Sequence, residues 1–265
     1  MLHMSVFKFI KKDKPTGFTI VEMVIIAPIV ILVIGVFIFA VVKMTGDVMA
    51  TRSSNTLAYD LQDALNRIEQ DIALSKEFLA STNIAMVSPQ GADNSSLAFN
   101  GWPTGPIILN SYANSSNPLN STRNLIYLNN MPNHCSDNLL KTKNTTLMTN
   151  IVYFIDPSTK ILWRRVIMPA NYASIGCDTP WQQPSCSYAA TINNTSCKIR
   201  DIKVIDNVTA FSKSLYKKDQ VTPASTPTEA EVMKITITSS FKAAGRDISQ
   251  TGTIRATKLN DITAQ

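Results

Sequence analysis

A long apolar run near the N-terminus constrains this chain more than any other feature of its sequence. Residues 18–42 make up 25 consecutive positions, and only Thr19, Glu22, Pro28 and Gly35 among them are not hydrophobic. An α-helix rises about 1.5 Å per residue, so roughly 20 such residues cross a hydrocarbon core about 30 Å thick. The run therefore predicts a transmembrane helix.

Glu22 is the only ionisable residue in this run. A carboxylate inside an apolar membrane segment is energetically costly, and such groups are functional candidates by default. The alternative is an ordinary membrane anchor in which Glu22 extends its carboxylate toward the lipid–water interface. The residues that precede the run favour the functional interpretation.

A basic leader and a glycine stand directly before the apolar run. The leader contains Lys8, Lys11, Lys12 and Lys14. Gly17 and Phe18 follow, and Glu22 is the fifth residue after Gly17. This arrangement resembles the processing signal of the type IV prepilin family, which comprises type IV pilins and the pseudopilins of type II secretion. The matching residues are Gly17, Phe18, Thr19 and Glu22, so the resemblance concerns the first quarter of the chain.

The resemblance implies a specific maturation. In that family a prepilin peptidase cleaves after the glycine and methylates the new N-terminal residue, which here would be Phe18. An ordinary secretory signal loses its apolar segment on cleavage, whereas here the segment follows the cleavage position and stays in the mature protein. The Glu22 carboxylate of one subunit is then expected to pair with the Phe18 amine of a neighbour. Because an unpaired charge is costly in an apolar setting, this pairing would set the axial register of a filament.

The charge distribution predicts orientation and argues against nucleic acid as the main partner. Basic flanks stay on the cytoplasmic side, so the chain is expected to be a single-pass inner-membrane protein with its C-terminal part outside the cytoplasm. After assembly it would reach the cell surface in a pilus. The net charge of +6 falls to +3 without residues 1–17. A balance this small gives weak support to a nucleic-acid-binding role.

The helical pattern continues beyond the apolar run. Its apolar positions, in steps of four, four, three and four, are Leu57, Leu61, Leu65, Ile68 and Ile72. These steps place the side chains on one stripe and predict a single helix from about Phe18 to about Lys76. The predicted division of the chain is a leader (1–17), a transmembrane or filament-core half of the helix (18–42), an amphipathic half (43–80) and a head (81–265).

The head is predicted to be rich in antiparallel β-structure. A hairpin is expected at residues 150–166 around a polar turn, followed by strands near 199–205, 208–216, 232–239 and 252–259, with an exposed loop at 217–228. The fold class is therefore α+β, with the long helix packed on the head. The hairpin ending in Trp163-Arg164-Arg165, the stretch from Asp206 to Phe211 and a strand pair around Ile235 and Ile254 resemble the larger minor pilins and pseudopilins of the J and W types. An unrelated β-rich head on a pilin stem is the alternative.

Four cysteines lie in the part expected outside the cytoplasm, where disulfides persist: Cys135, Cys177, Cys186 and Cys197. Two bridges are expected, and three connectivities are open. A local bridge between Cys177 and Cys186 is favoured by the loop with Pro180 and Pro184 between them. A zinc site is the alternative, although the spacings of 8 and 10 intervening residues do not match a short Cys-x-x-Cys pair.

Signals for catalysis are weak. The sequence has no phosphate-binding Gly-x-x-x-x-Gly-Lys-Ser/Thr loop, and it has only two histidines. We therefore expect no enzyme activity, no cofactor and no metal, although a calcium site near Asp219 and Glu229 stays open. The three tryptophans, Trp102, Trp163 and Trp181, are expected to serve packing rather than recognition.

The function predicted from the sequence is that of a minor pilin or pseudopilin. Its expected partners are a prepilin peptidase, other pilin or pseudopilin subunits in a filament, the inner-membrane assembly platform and membrane lipid. The alternative is a tip adhesin or DNA-uptake pilin whose head binds a ligand. A membrane-tethered enzyme is the third and least supported class.

Overall fold

The structure is a computed structural model, and it describes residues 19–84, 105–112, 148–168, 183–187 and 197–258. The chain divides into two compact units, Met1–Met49 and Ala50–Gln265. The leader lies outside the described residues.

Helix α1 spans Ile20–Leu74 and contains 55 residues. The predicted helix is confirmed over this range, while Phe18 lies outside the described residues. In the first unit, residues 20–45 are exposed on every face of the helix. Their most apolar stretch of 18 residues has a mean hydropathy of 3.3 and no buried share. By length and composition, this part of α1 is suited to cross a membrane.

The amphipathic part of α1 belongs to the second unit. Its buried residues are Leu57, Leu61, Ala64, Leu65, Ile68, Asp71 and Ile72, so all five positions of the predicted stripe are confirmed. The assignment of helix up to residue 80 is wrong, because Ser75–Phe78 forms strand β1. The Ser75 hydroxyl donates to the Ile72 carbonyl at 2.7 Å, and β1 then pairs with a strand that is distant in sequence.

The strands of the described residues have the following bounds: β1 Ser75–Phe78, β2 Ile107–Tyr112, β3 Met148–Asp156, β4 Ile161–Ile167, β5 Ser185–Cys186, β6 Ile199–Arg200, β7 Ile202–Ile205, β8 Val208–Tyr216, β9 Val232–Ala243 and β10 Arg246–Thr257. The first sheet has the order β1-β2-β3-β4-β7, and the second has the order β10-β9-β8. All pairs in these two sheets are antiparallel. Strands β5 and β6 form a short parallel pair.

Most of the predicted strands are confirmed, and two need correction. The final strand begins at Arg246 rather than near residue 252, because Ala244 and Gly245 adopt positive φ angles of 52° and 76° and form a tight turn that extends the hairpin. Polar residues occupy the exposed face of this first part of β10, so the sequence shows no clear alternation of apolar and polar residues there. The strand predicted at residues 199–205 is split at Asp201, whose buried carboxylate binds Arg165.

A single core joins α1 to both large sheets. It contains Leu65 and Ile68 from the helix, Ile107 from the first sheet, and Ile235 and Ile237 from the second. Each such side chain contributes roughly 1.5–3 kcal/mol on full burial. A smaller cluster covers the opposite face of the first sheet, and Trp163 packs against it half-buried, as expected of a packing tryptophan. Trp102 and Trp181 lie outside the described residues.

Strand β10 crosses α1 closely at Gly252. A methyl group added there would lie 2.5 Å from Leu65 Cδ1 and 3.1 Å from Leu61 Cγ. Leu65 is only 2% exposed, so its side chain has little space into which it can move. The absence of a side chain at position 252 therefore permits the contact between helix and sheet.

The substitution Gly252→Ala tests this contact. We expect the free energy of unfolding to fall by about 1–3 kcal/mol, because the added methyl overpacks a filled core. Urea denaturation of the full chain in detergent micelles, followed by tryptophan fluorescence, measures the change. Ser249→Ala, at an exposed position of the same strand, is the control and should stay within about 0.5 kcal/mol. Equal stability of the two variants would contradict the close approach.

Candidate functional site

The N-terminus of α1 carries Glu22, the residue predicted to set the register of assembly. The Thr19 backbone N–H and hydroxyl both donate to Glu22 Oε2, each at 2.9 Å. In return the Glu22 N–H donates to the Thr19 hydroxyl at 3.3 Å. Thr19 and Glu22 thus form a capping box, in which a threonine and a glutamate three residues later satisfy the free N–H groups of a helix start.

Glu22 is exposed, and its second carboxylate oxygen, Oε1, receives no hydrogen bond from the described part of the chain. One carboxylate oxygen therefore completes the helix start, and the other is free to accept a hydrogen bond from outside. The cap also explains why a carboxylate at this position is compatible with helix formation. Gly17 and Phe18, predicted as the cleavage and methylation positions, lie outside the described residues.

A buried ionic cluster holds the end of α1 against the first sheet. Arg164 Nε donates to Asp71 Oδ2 at 2.6 Å, and Arg164 Nη2 donates to Asp71 Oδ1 at 3.2 Å. The Tyr153 hydroxyl also donates to Asp71 Oδ2. Tyr153 and Arg164 are directly opposite each other on β3 and β4, so the two strands present both donors to one helical carboxylate.

Burial and neighbouring charges shift the pKa values in this cluster. Burial raises the pKa of Tyr153 well above its ordinary value, and the negative charge of Asp71 adds to the rise. Burial acts to lower the pKa of Arg164, but Asp71 and Tyr153 together outweigh it, so that pKa lies above its ordinary value. Arg164 therefore stays charged and Tyr153 stays protonated, which is the state in which both donate to Asp71.

A second buried ion pair lies on the opposite face of β4. Arg165 Nε donates to both oxygens of Asp201, at 3.1 and 3.0 Å. The Ser185 hydroxyl donates to Asp201 Oδ1 at 2.9 Å and accepts from the Val166 N–H at 2.9 Å. Arg165 lies 5.3 Å from the ring centroid of Phe154. This pair anchors β5 and the β6–β7 segment to the first sheet.

Sequence reasoning did not identify these two ion pairs. Successive residues of a strand point to opposite faces, so Arg164 and Arg165 require two separate partners if both faces are covered. On the helix, the sequence signal for such a partner was Asp71, a carboxylate next to the apolar stripe of α1. The pairing itself depends on residues separated by 93 and 36 positions, which no local pattern reveals.

A disulfide joins Cys186 and Cys197, whose Cα atoms are 5.7 Å apart. The prediction of a disulfide is confirmed for these two cysteines, and the local Cys177–Cys186 pairing is wrong. Cys197 lies two residues before the start of β6, and β6 pairs with the strand that contains Cys186. The strand pairing brings the Cys186 and Cys197 thiols together. Cys135 and Cys177 lie outside the described residues.

The loop after β8 contains the two acidic residues considered for calcium. Asp219 accepts hydrogen bonds from the N–H groups of Val221 and Thr222, at 3.0 and 2.9 Å, and from the Thr222 hydroxyl. The Thr222 side chain and these N–H groups lower the pKa of Asp219. Glu229 instead lies 3.8 Å from Lys217. Within the described segments, no group of three His, Cys, Asp or Glu residues is arranged to hold a metal ion.

A groove of about 520 Å³ lies between α1 and one end of the two sheets. Its lining residues are Arg52, Ser53, Thr56, Leu57, Asp60, Asp63, Lys203, Val204, Ile205, Asp206, Asn207 and Phe241. Two of its charged pairs are internal to the chain: Asp63 with Arg67 at 2.8 Å, and Lys203 with Asp206 at 2.7 Å. The side chains of Arg52 and Asp60 form no ion pair or hydrogen bond with any other described residue.

Half-buried Lys213 is the remaining group with a strongly perturbed pKa. Burial lowers the pKa of Lys213 to about 8. Its amine donates to the Pro106 carbonyl, which directly precedes β2. The contact links the second sheet to the first, so a structural role accounts for this lysine.

No protein-family model matches the sequence, and no curated protein matches it either.

The substitution Asp71→Leu tests the ionic cluster. It is expected to lower the free energy of unfolding by about 3–5 kcal/mol, because Arg164 loses its buried carboxylate partner. The double variant with Asp71→Leu and Arg164→Met should regain most of this loss, since an apolar pair can replace a buried ion pair. Urea denaturation of the full chain in detergent measures the unsubstituted protein, the single variants Asp71→Leu and Arg164→Met, and the double variant.

Arg67→Met is the matched control for this cycle. Arg67 pairs with Asp63 at an exposed position of the same helix, so its loss should lower the stability by no more than about 1 kcal/mol. If the effects of Asp71→Leu and Arg164→Met simply add in the double variant, the two residues are not energetically coupled and the proposed role of the pair is wrong.

Proposed function

We propose that this protein is a minor pilin or pseudopilin, a structural subunit of a type IV pilus or a type II secretion-like filament. Its role is to occupy a position in an assembly rather than to catalyse a reaction. The observation that carries the proposal is the series Gly17, Phe18 and Glu22 between a lysine-rich leader and an apolar helix. The following arguments support it.

The exposed apolar part of α1 supports an assembly that shields it from water. A helix that is hydrophobic on all sides is stable in a membrane or among other such helices. Residues 20–45 of α1 are exposed on all sides, so lipid would surround them before assembly and neighbouring stems would surround them in a filament. The same helix continues into the core of the head.

The geometry of Glu22 supports an intersubunit role. Its Oε2 atom is used by the cap of its own helix, and its Oε1 atom has no donor among the described residues. In the proposed assembly, prepilin peptidase cleaves after Gly17 and methylates Phe18, and the resulting amine of one subunit donates to Glu22 Oε1 of the next. Only the correct axial position pairs both charges, so the interaction sets the register. The leader would face the cytoplasm and the assembly platform, with the head outside.

The first prediction concerns processing. Gly17→Ala is expected to leave the leader attached, because the peptidase requires the glycine that precedes its cleavage position in the family that the sequence resembles. Intact-mass spectrometry of the chain purified from membranes measures the difference: the unsubstituted protein should lack residues 1–17 and carry one added methyl group. An unsubstituted protein that retains its leader would refute the proposed maturation.

The second prediction separates the charge of Glu22 from its capping role. Glu22→Ala should be processed but should enter filaments poorly. Glu22→Gln should behave in the same way, because glutamine can complete a capping box but cannot form an ion pair with the Phe18 amine. The measurement is the ratio of filament-bound to membrane-bound protein after shearing, and we expect a decrease of about tenfold, equivalent to roughly 1.4 kcal/mol.

Thr19→Ala is the control for this experiment. It removes the hydroxyl contacts of the cap and keeps the Glu22 carboxylate, so it should enter filaments nearly normally. Normal incorporation of Glu22→Gln, or equal defects in Glu22→Gln and Thr19→Ala, would mean that Glu22 acts through helix capping alone.

A further inference from the structure

We propose that the loop of residues 217–223 in one copy docks into the groove between α1 and the β7–β8 turn of a second copy of this chain. The inference rests on the proposed function and deepens it, because it identifies a neighbour in the assembly and the surfaces through which the two heads meet. It concerns only the heads, whereas the pairing at Glu22 concerns the stems.

The groove has apolar lining residues and two charged side chains without a partner in the described part of the chain. Leu57, Ile205 and Phe241 line it together with polar residues. Arg52 and Asp60 are separated by eight residues on the same face of α1, which corresponds to about 12 Å along the helix. Neither side chain forms an ion pair with any other described residue. An occupant with an apolar centre, a cation on one side and an anion on the other would complement the groove.

The loop 217–223 is held in one conformation by several hydrogen bonds. The Lys217 N–H donates to the Thr222 carbonyl at 2.9 Å, and the Gln220 N–H donates to the Lys217 carbonyl at 2.9 Å. Arg255 donates to the Gln220 carbonyl at 2.9 Å and stacks 4.7 Å from the ring centroid of Tyr216. Asp219 completes the turn. A loop that is ordered before contact loses less entropy on binding.

The tip of this ordered loop carries the groups that the groove lacks. Val221 is 77% exposed, and the only other large apolar side chain of the described head with comparable exposure is Tyr59. Lys218 and Asp219 precede it by three and two residues and supply one charge of each sign. In the docked arrangement Val221 contacts the apolar lining residues, Lys218 approaches Asp60, and Asp219 approaches Arg52.

The loop and the groove lie at positions in the sheet that allow the heads of successive copies to stack end to end. Strand β8 begins at Val208, directly after the groove residues Asp206 and Asn207, and ends at Tyr216, directly before the loop. Its nine residues span about 30 Å at roughly 3.3 Å per residue. The two surfaces therefore lie at opposite ends of the same strand. Contacts between opposite ends are heterologous and repeat from copy to copy, which produces an open filament where the ring does not close.

A single loop in a groove makes a small interface, so this contact is expected to be weak between isolated heads. Stems held side by side in a membrane or filament raise the effective concentration of the partner surface. The stems would then hold the assembly together, and the loop would fix the orientation of neighbouring heads. It would also make this chain a repeated subunit rather than a solitary one at a tip.

Photo-crosslinking of the full chain tests the proposal. The photoreactive amino acid p-benzoylphenylalanine replaces Val221 in cells that produce the protein together with its assembly system. Irradiation should give a covalent dimer of this chain, and peptide mass spectrometry should locate the attachment within residues 52–63 or 203–207. The same probe at Ser225, which is exposed two residues beyond the loop, is the matched control and should give at least fivefold less dimer.

A charge exchange provides the second measurement. Lys218→Glu should reduce the yield of the Val221 crosslink about threefold to fivefold, because a like charge then faces Asp60 and a surface pair contributes up to about 1 kcal/mol. Adding Asp60→Lys in the same chain should restore the yield. Restoration identifies the contact between these two residues, and a further decrease in the double variant would overturn it.

A probe at Phe37 in the stem distinguishes failure of the docking from failure of the proposed function. If the probe at Phe37 crosslinks two copies and the probe at Val221 does not, the docking is wrong and the filament role stands. If neither probe crosslinks a second copy, both are wrong. A crosslink from Val221 to a different protein, to lipid or to another part of the head also overturns the docking.

Discussion

The packing of the second part of α1 against both large sheets is the contact on which the head depends. The two sheets share no strand, and the helical side chains of Leu65 and Ile68 belong to the same core as residues of each sheet. The Asp71–Arg164 pair fixes the alignment of α1 on the sheet. A buried carboxylate with two specific donors is satisfied in only one register of helix and sheet. Hydrophobic burial supplies the stability, and the ion pair determines the alignment.

The two parts of α1 differ in how their apolar side chains are shielded from water. Residues 20–45 expose apolar side chains that require lipid or other stems, while the later turns bury their apolar stripe within their own chain. In the stem a single carboxylate stands at the helix start, where it is half engaged by its own cap. In the head the charged groups near the core are paired inside the fold. Under the proposed function, the stem carboxylate finds its electrostatic partner in another molecule.

The accuracy of the sequence-based prediction varied with the range of the interactions concerned. The helix, the hairpin of β3 and β4 and the strands β8 and β9 follow from periodicity and turn residues that act within a few positions. The end of α1, the split at Asp201 and the Cys186–Cys197 bridge do not, because each depends on pairing between distant segments. In the site, the Thr19–Glu22 cap was present in the sequence as a threonine three residues before a glutamate. The groove had no local signal, and the sequence signals at Asp71, Arg164 and Arg165 did not reveal which residues pair.

The sequence by itself determined that the chain has an apolar N-terminal helix with one carboxylate, followed by an α+β head, because composition and periodicity are properties of continuous segments. The tertiary structure decided which charges are satisfied inside the molecule and which face outward. Asp71 and Asp201 have buried partners, whereas Arg52 and Asp60 face a groove and have no partner among the described residues. This distinction arises from distances between segments far apart in the chain, and burial in a low-dielectric core strengthens each pairing that the fold creates.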